Sequence, residues 1–181
     1  MQIISVINQK GGVGKTTTVI NLAAGLAQKK KKILIIDLDP QGNATTGLGL
    51  SNTENSSETI YGVLNGTKSI SEVITKTLYD NLDIITSNVD LSGLEAETAG
   101  DSNRSFILKD ELASYSKNSS KIYDYILIDC PPSLSLLTVM ALVSSNSLVV
   151  PLQTEFFALE GLTQLIKTID RIKVSLNPDL R

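Results

Sequence analysis

The sequence predicts an α/β fold, a mostly parallel sheet flanked by helices on both faces. Three observations predict it. Short apolar runs of strand length recur at 3–7, 33–36, 82–85, 125–128 and 148–150. Segments with helical apolar spacing lie between them. The runs are nearly continuous rather than alternating, as expected of strands buried on both faces by crossover helices.

Taken in order, Ile3–Ile7 reads as the first strand. Val19, Leu22, Ala23 and Leu26 recur at i, i+3, i+4 and i+7 and predict a helix. Ile33–Ile36 is the second strand and ends at Asp37. Residues 42–57, rich in Gly, Asn, Ser and Thr, read as loop. Short helices are expected over Thr59–Leu64 and Ser71–Thr77, then a third strand at Leu82–Ile85. Residues 92–99 and 104–115 read as helical, with a polar loop at 116–121. Tyr125–Ile128 is the fourth strand, ending at Asp129, followed by a helix over 134–144 and a fifth strand at Leu148–Val150. The last helix, 158–174, carries Leu162, Leu165, Ile166 and Ile169, and Pro178 closes it. No internal repeat is visible, so residues 1–181 read as one domain.

Composition excludes several chemistries. With 41% apolar residues and a formal net charge of −3, the chain reads as soluble and lacks an overall basic footprint for nucleic acid. It has no histidine, which removes imidazole acid–base catalysis and histidine metal sites. One cysteine, Cys130, permits no internal disulfide, and even two copies could not ligate an iron–sulfur cluster with four thiolates. Cys130 itself reads as a small packed residue. No apolar run reaches 18 residues, so no membrane span is expected. The start, Met1-Gln2-Ile3-Ile4, does not read as a signal peptide, and a cytoplasmic location is the default expectation.

The stretch NQKGGVGKTT, residues 8–17, sits between the first strand and the first helix. That is the context of a phosphate-binding loop. Gly11, Gly12 and Gly14, with Val13 among them, let backbone N–H groups converge on phosphate oxygens, and the helix beginning near Lys15 aims its positive end there. Lys15 can reach the β- and γ-phosphates, Thr16 can ligate Mg²⁺, and Thr17 completes the loop. The generic pattern wants glycine at position 9, where this chain has Gln9, and it needs no lysine at position 10. Two other strands end in acid, Asp37-Leu38-Asp39-Pro40-Gln41-Gly42-Asn43 and Asp129-Cys130-Pro131-Pro132-Ser133. In a parallel sheet these tips share one edge with the loop. Asp129 is suited to hold Mg²⁺ through water, and Asp39 to orient an attacking water or to join the metal's water shell. Asp37 stands between a place in this site and a capping role. Pro40 and Pro131-Pro132 stiffen the loops that leave both strands.

KGGVGKTT at 10–17, DLDPQGN at 37–43, YILIDCPPS at 125–133 and PLQTEFFALEGL at 151–162 together resemble the ParA/Soj partition ATPases, of the deviant Walker A group. The resemblance covers essentially the whole chain. It implies a P-loop NTPase fold, ATP and Mg²⁺ as ligands, and an ATP-dependent homodimer in which Lys10 reaches the nucleotide of the partner. The charges agree with that role, because Lys10 and Lys15 repel each other unless polyphosphate lies between them. It further implies slow, partner-stimulated hydrolysis in plasmid or chromosome partitioning, a ParB-like activator, non-specific DNA as a partner, and no membrane. Two other readings compete. A MinD-like cell-division positioning ATPase would need an amphipathic C-terminal helix, and the tail Val174–Arg181 is short and proline-broken. A nucleotide-binding interaction module would not turn over efficiently.

Members of that family run past residue 181, so the resemblance makes 1–181 a domain incomplete at its C-terminal end. It implies a bare edge along the fifth strand near Leu148–Pro151, weak DNA binding at physiological salt and reduced choice of ATP over GTP. Lys30 replaces the glycine usual between the first helix and second strand, which implies strain if that residue is left-handed.

Overall fold

The computed structural model describes residues 1–51, 55–153 and 158–181, with side chains from Gly161 onward in the last stretch. Six strands form one sheet: β1 Gln2–Val6, β2 Ile33–Asp37, β3 Ile74–Lys76, β4 Leu82–Ile85, β5 Tyr125–Asp129 and β6 Ser147–Val149. Their order across the sheet is β3-β4-β2-β5-β1-β6. All neighbours are parallel except β3 on β4. The helices are α1 Lys15–Gln28, α2 Asn43–Gly47, α3 Ile60–Leu64, α4 Ile70–Val73, α5 Leu94–Glu97, α6 Ile107–Asn118, α7 Leu136–Ser144 and α8 Ala158–Ser175.

The pleat sorts the apolar runs onto two faces. Ile33 and Ile35 of β2 and Leu127 of β5 pack with Val19, Ala23 and Ala27 of α1 and Ala44 of α2. Leu34, Ile36, Ile126 and Ile128 point the other way into a larger cluster with α3, α4, α6 and α7. Both faces are covered, so no alternation is visible in these strands. Alanines at 23 and 27 let α1 lie close to the sheet. The stripe is therefore Val19, Ala23 and Ala27, and Leu22, expected in it, is 36% exposed.

Three further expectations change. Within the predicted loop 42–57, residues 43–47 form α2, held through its Thr45 by Asp37. The predicted helix over Ser71–Thr77 is one turn, α4, closed at its start by a reciprocal Ser69–Glu72 capping box. The β-branched pair Ile74-Thr75 then turns into β3 and pairs with β4. Lastly, β6 is an edge strand, but it is not bare where the sequence predicts. The Leu148 N–H donates to the Arg181 carbonyl at 3.0 Å, and the Arg181 N–H donates to the Asn146 carbonyl at 3.0 Å.

Lys30 does adopt the left-handed region, with φ 59°. Its N–H donates to the Ala27 carbonyl and that of Lys31 to the Leu26 carbonyl, closing α1 in a Schellman motif with lysine where glycine is favoured.

Register places the functional tips together. Val6 of β1 pairs with Asp129, and Asp129 pairs with Asp37 of β2. The loop leaving β1 and the two acidic strand ends thus meet at one carboxyl edge.

Candidate nucleotide-binding site

Between β1 and α1 the chain makes a tight loop with Gly12 at φ 74° and Gly14 at φ 88°. No heavy atom outside the immediate chain lies within 4 Å of a Cβ built at Gly11, Gly12 or Gly14, so the space above the loop is open. Gly14 immediately precedes α1, whose first turn carries no acidic residue. The helix's positive end is therefore unopposed by its own side chains.

The loop is tied down at several points. The Asn8 amide donates to the Pro151 carbonyl at 2.7 Å, and the Lys10 N–H donates to Asn8 Oδ1 at 3.0 Å. The Gln153 amide donates to the Gly12 carbonyl at 3.2 Å. The Lys15 ammonium donates to the Lys10 carbonyl at 3.1 Å. Lys15 is only 7% exposed. Burial lowers its pKa, while Asp129, Asp39 and Cys130 act against that shift.

Gly11, Gly12, Gly14, Lys15, Thr16 and Thr17 line one cavity of about 380 Å³ together with Asp39, Asn43 and Pro132. Six predicted loop positions and one predicted acid thus share a single concave space. Val13 is buried beneath the loop. Lys10 is exposed and lines a neighbouring cavity of about 230 Å³ with Asn8, Gln9, Val13, Leu152, Gln153 and Gly161. The two lysines of the motif therefore serve different spaces.

Asp129 lies fully buried, and neither carboxylate oxygen has a hydrogen-bond partner. Burial pushes its pKa up to about 7, helped by Asp37 and Asp39 and opposed by Thr16 and Lys15. The Thr16 hydroxyl acts on this carboxylate without meeting hydrogen-bond geometry. A buried carboxylate with no donor is costly unless something cationic or hydrated completes it. Thr16 and Asp129 are oxygen donors of the kind Mg²⁺ prefers, so the residues present fit that ion.

Asp37 has a different surrounding. Its Oδ2 accepts from the Thr45 N–H at 2.8 Å and the Thr45 hydroxyl at 2.7 Å, and its Oδ1 accepts from the Asp39 N–H at 3.2 Å. Burial pushes its pKa up to about 6 against those hydrogen bonds. Of its two readings, capping is the one its bonds describe. Asp39 Oδ1 accepts from the Gln41 N–H at 3.0 Å, which folds the acid's loop back on itself before Gly42, at φ 62°, opens α2.

Sequence reasoning missed Asn43 and Pro132 as lining residues. Both lie inside quoted motifs, and that membership was the available signal; that Asn43 opens a helix was not visible in the sequence. Cys130 is buried, and burial raises its thiol pKa, as suits a packed residue. Residues 154–157 of PLQTEFFALEGL, and the side chains of 158–160, lie outside the described residues.

The chain matches the AAA domain family AAA_31 over residues 1–181. It is 49% identical over 180 residues to the chromosome partitioning protein ParA of Caulobacter vibrioides (strain NA1000 / CB15N), covering 99% of this chain and 66% of that protein. It is 46% identical over 179 residues to the sporulation initiation inhibitor protein Soj of Bacillus subtilis (strain 168), covering 99% and 69%. Cobyrinic acid a,c-diamide synthase from Mycobacterium smegmatis, solved with bound ADP and magnesium, superposes with a TM-score of 0.91 at 36% identity over 99% of this chain and 71% of that one. The chain spans about two thirds of the length of the curated relatives it matches. With its P-loop fold, its glycine loop and these relatives, the chain belongs to the ParA/Soj family of partition proteins.

Proposed function

We propose that residues 1–181 form the nucleotide-handling domain of a ParA/Soj-type ATPase, an ATP-dependent dimerising switch used in DNA partitioning. The single observation that carries this is the buried, unpartnered Asp129 carboxylate beside a glycine-lined cavity that also holds Lys15, Thr16 and Asp39.

In this reading the N–H groups from Gly11 to Thr17 and the Lys15 ammonium hold the β- and γ-phosphates of ATP. Thr16, with Asp129 and Asp39 through water, would hold Mg²⁺, which when bound neutralises charge developing on the phosphate oxygens. Lys15 gives up the Lys10 carbonyl for phosphate. Asp39 orients a water in line with the γ-phosphorus. A new P–O bond forms from that water as the bond to the β-bridging oxygen breaks, giving ADP and phosphate. Lys10, exposed beside the loop, extends to the nucleotide of a second copy and so couples ATP binding to dimerisation. Turnover is slow and stimulated by a ParB-like activator. Non-specific DNA is the cargo-side partner, and the setting is the cytoplasm.

Phosphate release tests this. The wild-type chain is expected to release phosphate with ATP and Mg²⁺, and Asp39→Ala to bind a fluorescent ATP analogue normally while releasing almost none. Equal release by both proteins would show Asp39 to be a structural loop acid only.

A further inference from the structure

Two aliphatic side chains at the amino edge of the sheet stand in water. Leu78 is 94% exposed and Ile122 62%. Single exposed apolar residues are ordinary. These two are displayed by loops that are braced. Leu78 lies on the turn between β3 and β4. There the Tyr79 N–H donates to Thr77 Oγ1 at 3.1 Å, and the Thr77 hydroxyl donates to the Leu82 carbonyl at 2.7 Å. The Asn81 carbonyl accepts from the Ile33 N–H at 2.8 Å, which ties the turn to β2. Ile122 lies on the segment between α6 and β5. There the Tyr115 hydroxyl donates to the Lys121 carbonyl at 2.8 Å. The Tyr123 hydroxyl donates to Asp83 at 2.6 Å, and the Lys121 ammonium donates to the same carboxylate.

Both residues border one cavity of about 270 Å³, whose walls include Thr77, Tyr79, Lys121 and Tyr123. Leu78 stands between the first two in sequence and Ile122 between the last two. The Tyr79 ring, 58% exposed, adds to the apolar display. The surround is cationic. Lys29, Lys30, Lys31 and Lys32 run consecutively into β2, Lys76 ends β3, and all five are exposed. Among the described residues, none of the five has an ion-pair partner. Of the two acids on the cavity, Asp83 is engaged by Lys121 and Tyr123, which leaves Asp80. β2, β4 and β5 begin at this end, so a strand of five residues, roughly 16 Å, separates it from the phosphate loop.

We infer that this edge is a docking surface for an acidic protein segment that carries apolar side chains, and that it binds without nucleotide. The inference goes beyond the function proposed above and does not rest on it, since the nucleotide site lies at the opposite edge. Charge complementarity with the free lysines makes the occupant acidic. The displayed Leu78, Tyr79 and Ile122 make it a protein. Phosphates of a nucleic acid would meet the lysines and leave Leu78 and Ile122 in water. A flat anionic bilayer would leave the cavity unfilled and press Asp80 against its headgroups. A peptide places an apolar side chain in the cavity and its carboxylates on the lysines around it. The braced loops lower the cost of ordering the surface on binding. Apolar contact then sets how long the complex lasts, and the lysines set its encounter rate and salt dependence.

The test is fluorescence anisotropy with two labelled peptides and the nucleotide-free 181-residue chain, from 20 to 200 mM salt. One peptide has a leucine–phenylalanine pair flanked on both sides by aspartates and glutamates. The other has serines in place of the pair. The wild type is expected to bind the first at least about fivefold more tightly than the second, and to release both as salt rises. Leu78→Ser/Ile122→Ser should lose at least about fivefold on the first peptide and little on the second. Lys29→Gln/Lys31→Gln/Lys76→Gln should weaken both and flatten their salt dependence. Val89→Ser/Val174→Ser, with its exposed valines elsewhere, should bind like the wild type. Thermal unfolding checks that each variant is folded, and all the substituted residues are exposed. The inference is overturned if the wild type binds neither peptide at 20 mM salt, if it binds the two alike, or if Leu78→Ser/Ile122→Ser binds the first as the wild type does. It is equally overturned if Leu78 and Ile122 govern binding to vesicles of 30% phosphatidylserine or to a 20-base-pair duplex and not to the peptide.

Discussion

At the residue scale, Asp129 and Lys30 each sit in a position that their chemistry resists. Asp129 is a buried carboxyl whose oxygens accept no hydrogen bond, with its pKa raised to about 7. Because the folded-state value is raised, its contribution to stability is full below the ordinary carboxyl range and is lost as pH rises through about 7. Asp129→Asn keeps the shape without the charge. In the nucleotide-free chain it should raise the unfolding free energy at pH 8, by on the order of a few kcal/mol at most, and Tm with it, the gain shrinking towards pH 5. Thermal unfolding at the two pH values checks this, and an unchanged difference between them would mean the carboxyl is not titrating there. The sequence supplied Asp129 and its end-of-strand position but not its lack of a hydrogen-bond partner, which depends on what three strands bring near it. Lys30 is the opposite case. Its strain was legible from the lysine in place of a glycine, and φ 59° agrees. Lys30→Gly should stabilise the chain by about 1 kcal/mol, raising Tm by roughly 2–4 °C.

At the element scale, α2 is the piece that sequence reading did not find. Asn43-Ala44-Thr45-Thr46-Gly47 has poor helix propensity and no periodicity, so it read as loop. It is a helix because a tertiary group completes its first turn. Asp37 accepts from the Thr45 N–H and hydroxyl, and the Thr45 hydroxyl in turn accepts from the Ser87 N–H at 3.1 Å. One threonine thus links the ends of β2 and β4 and fixes the loop that carries Asp39. Thr45→Val should cost roughly 1–3 kcal/mol, because it leaves the Ser87 N–H and an Asp37 oxygen short of a partner in a buried place. It should also slow phosphate release more than it weakens ATP-analogue binding. Chemical denaturation and steady-state turnover measure the two effects, and a variant as stable and active as the wild type would show that α2 does not position Asp39. The strongly periodic or continuous elements, by contrast, were legible. β1, β2, β4 and β5 fall within a residue of expectation, because burial on both faces makes most of their residues apolar. β3 was not, because three edge residues carry too little pattern.

At the scale of the whole molecule, the parallel strands place the candidate site at one edge of the sheet. Their carboxyl ends bring together a glycine loop and two acidic tips that are far apart in sequence, and their amino ends gather the lysines. Most of the candidate site was legible because the loop is contiguous and each acid ends an apolar run. What was not legible is the division of labour between the two lysines. Lys15 is drawn in to the Lys10 carbonyl, while Lys10 faces a separate space beside Gln9 and Leu152. Lys10→Ala should therefore leave ATP binding by one chain near wild type and reduce ATP-dependent dimerisation severalfold, read by light scattering with and without ATP. Equal dimer formation in both proteins would contradict a cross-dimer role.

The measurement closest to the central claim is calorimetric titration of the 181-residue chain with ATP and Mg²⁺, wild type against Lys15→Ala. If this edge is a phosphate site, the wild type binds and the variant loses at least about tenfold in affinity, since a charge-assisted contact to the phosphates is gone. Binding of equal affinity by both proteins would contradict the assignment of the glycine loop, and with it the site built around it.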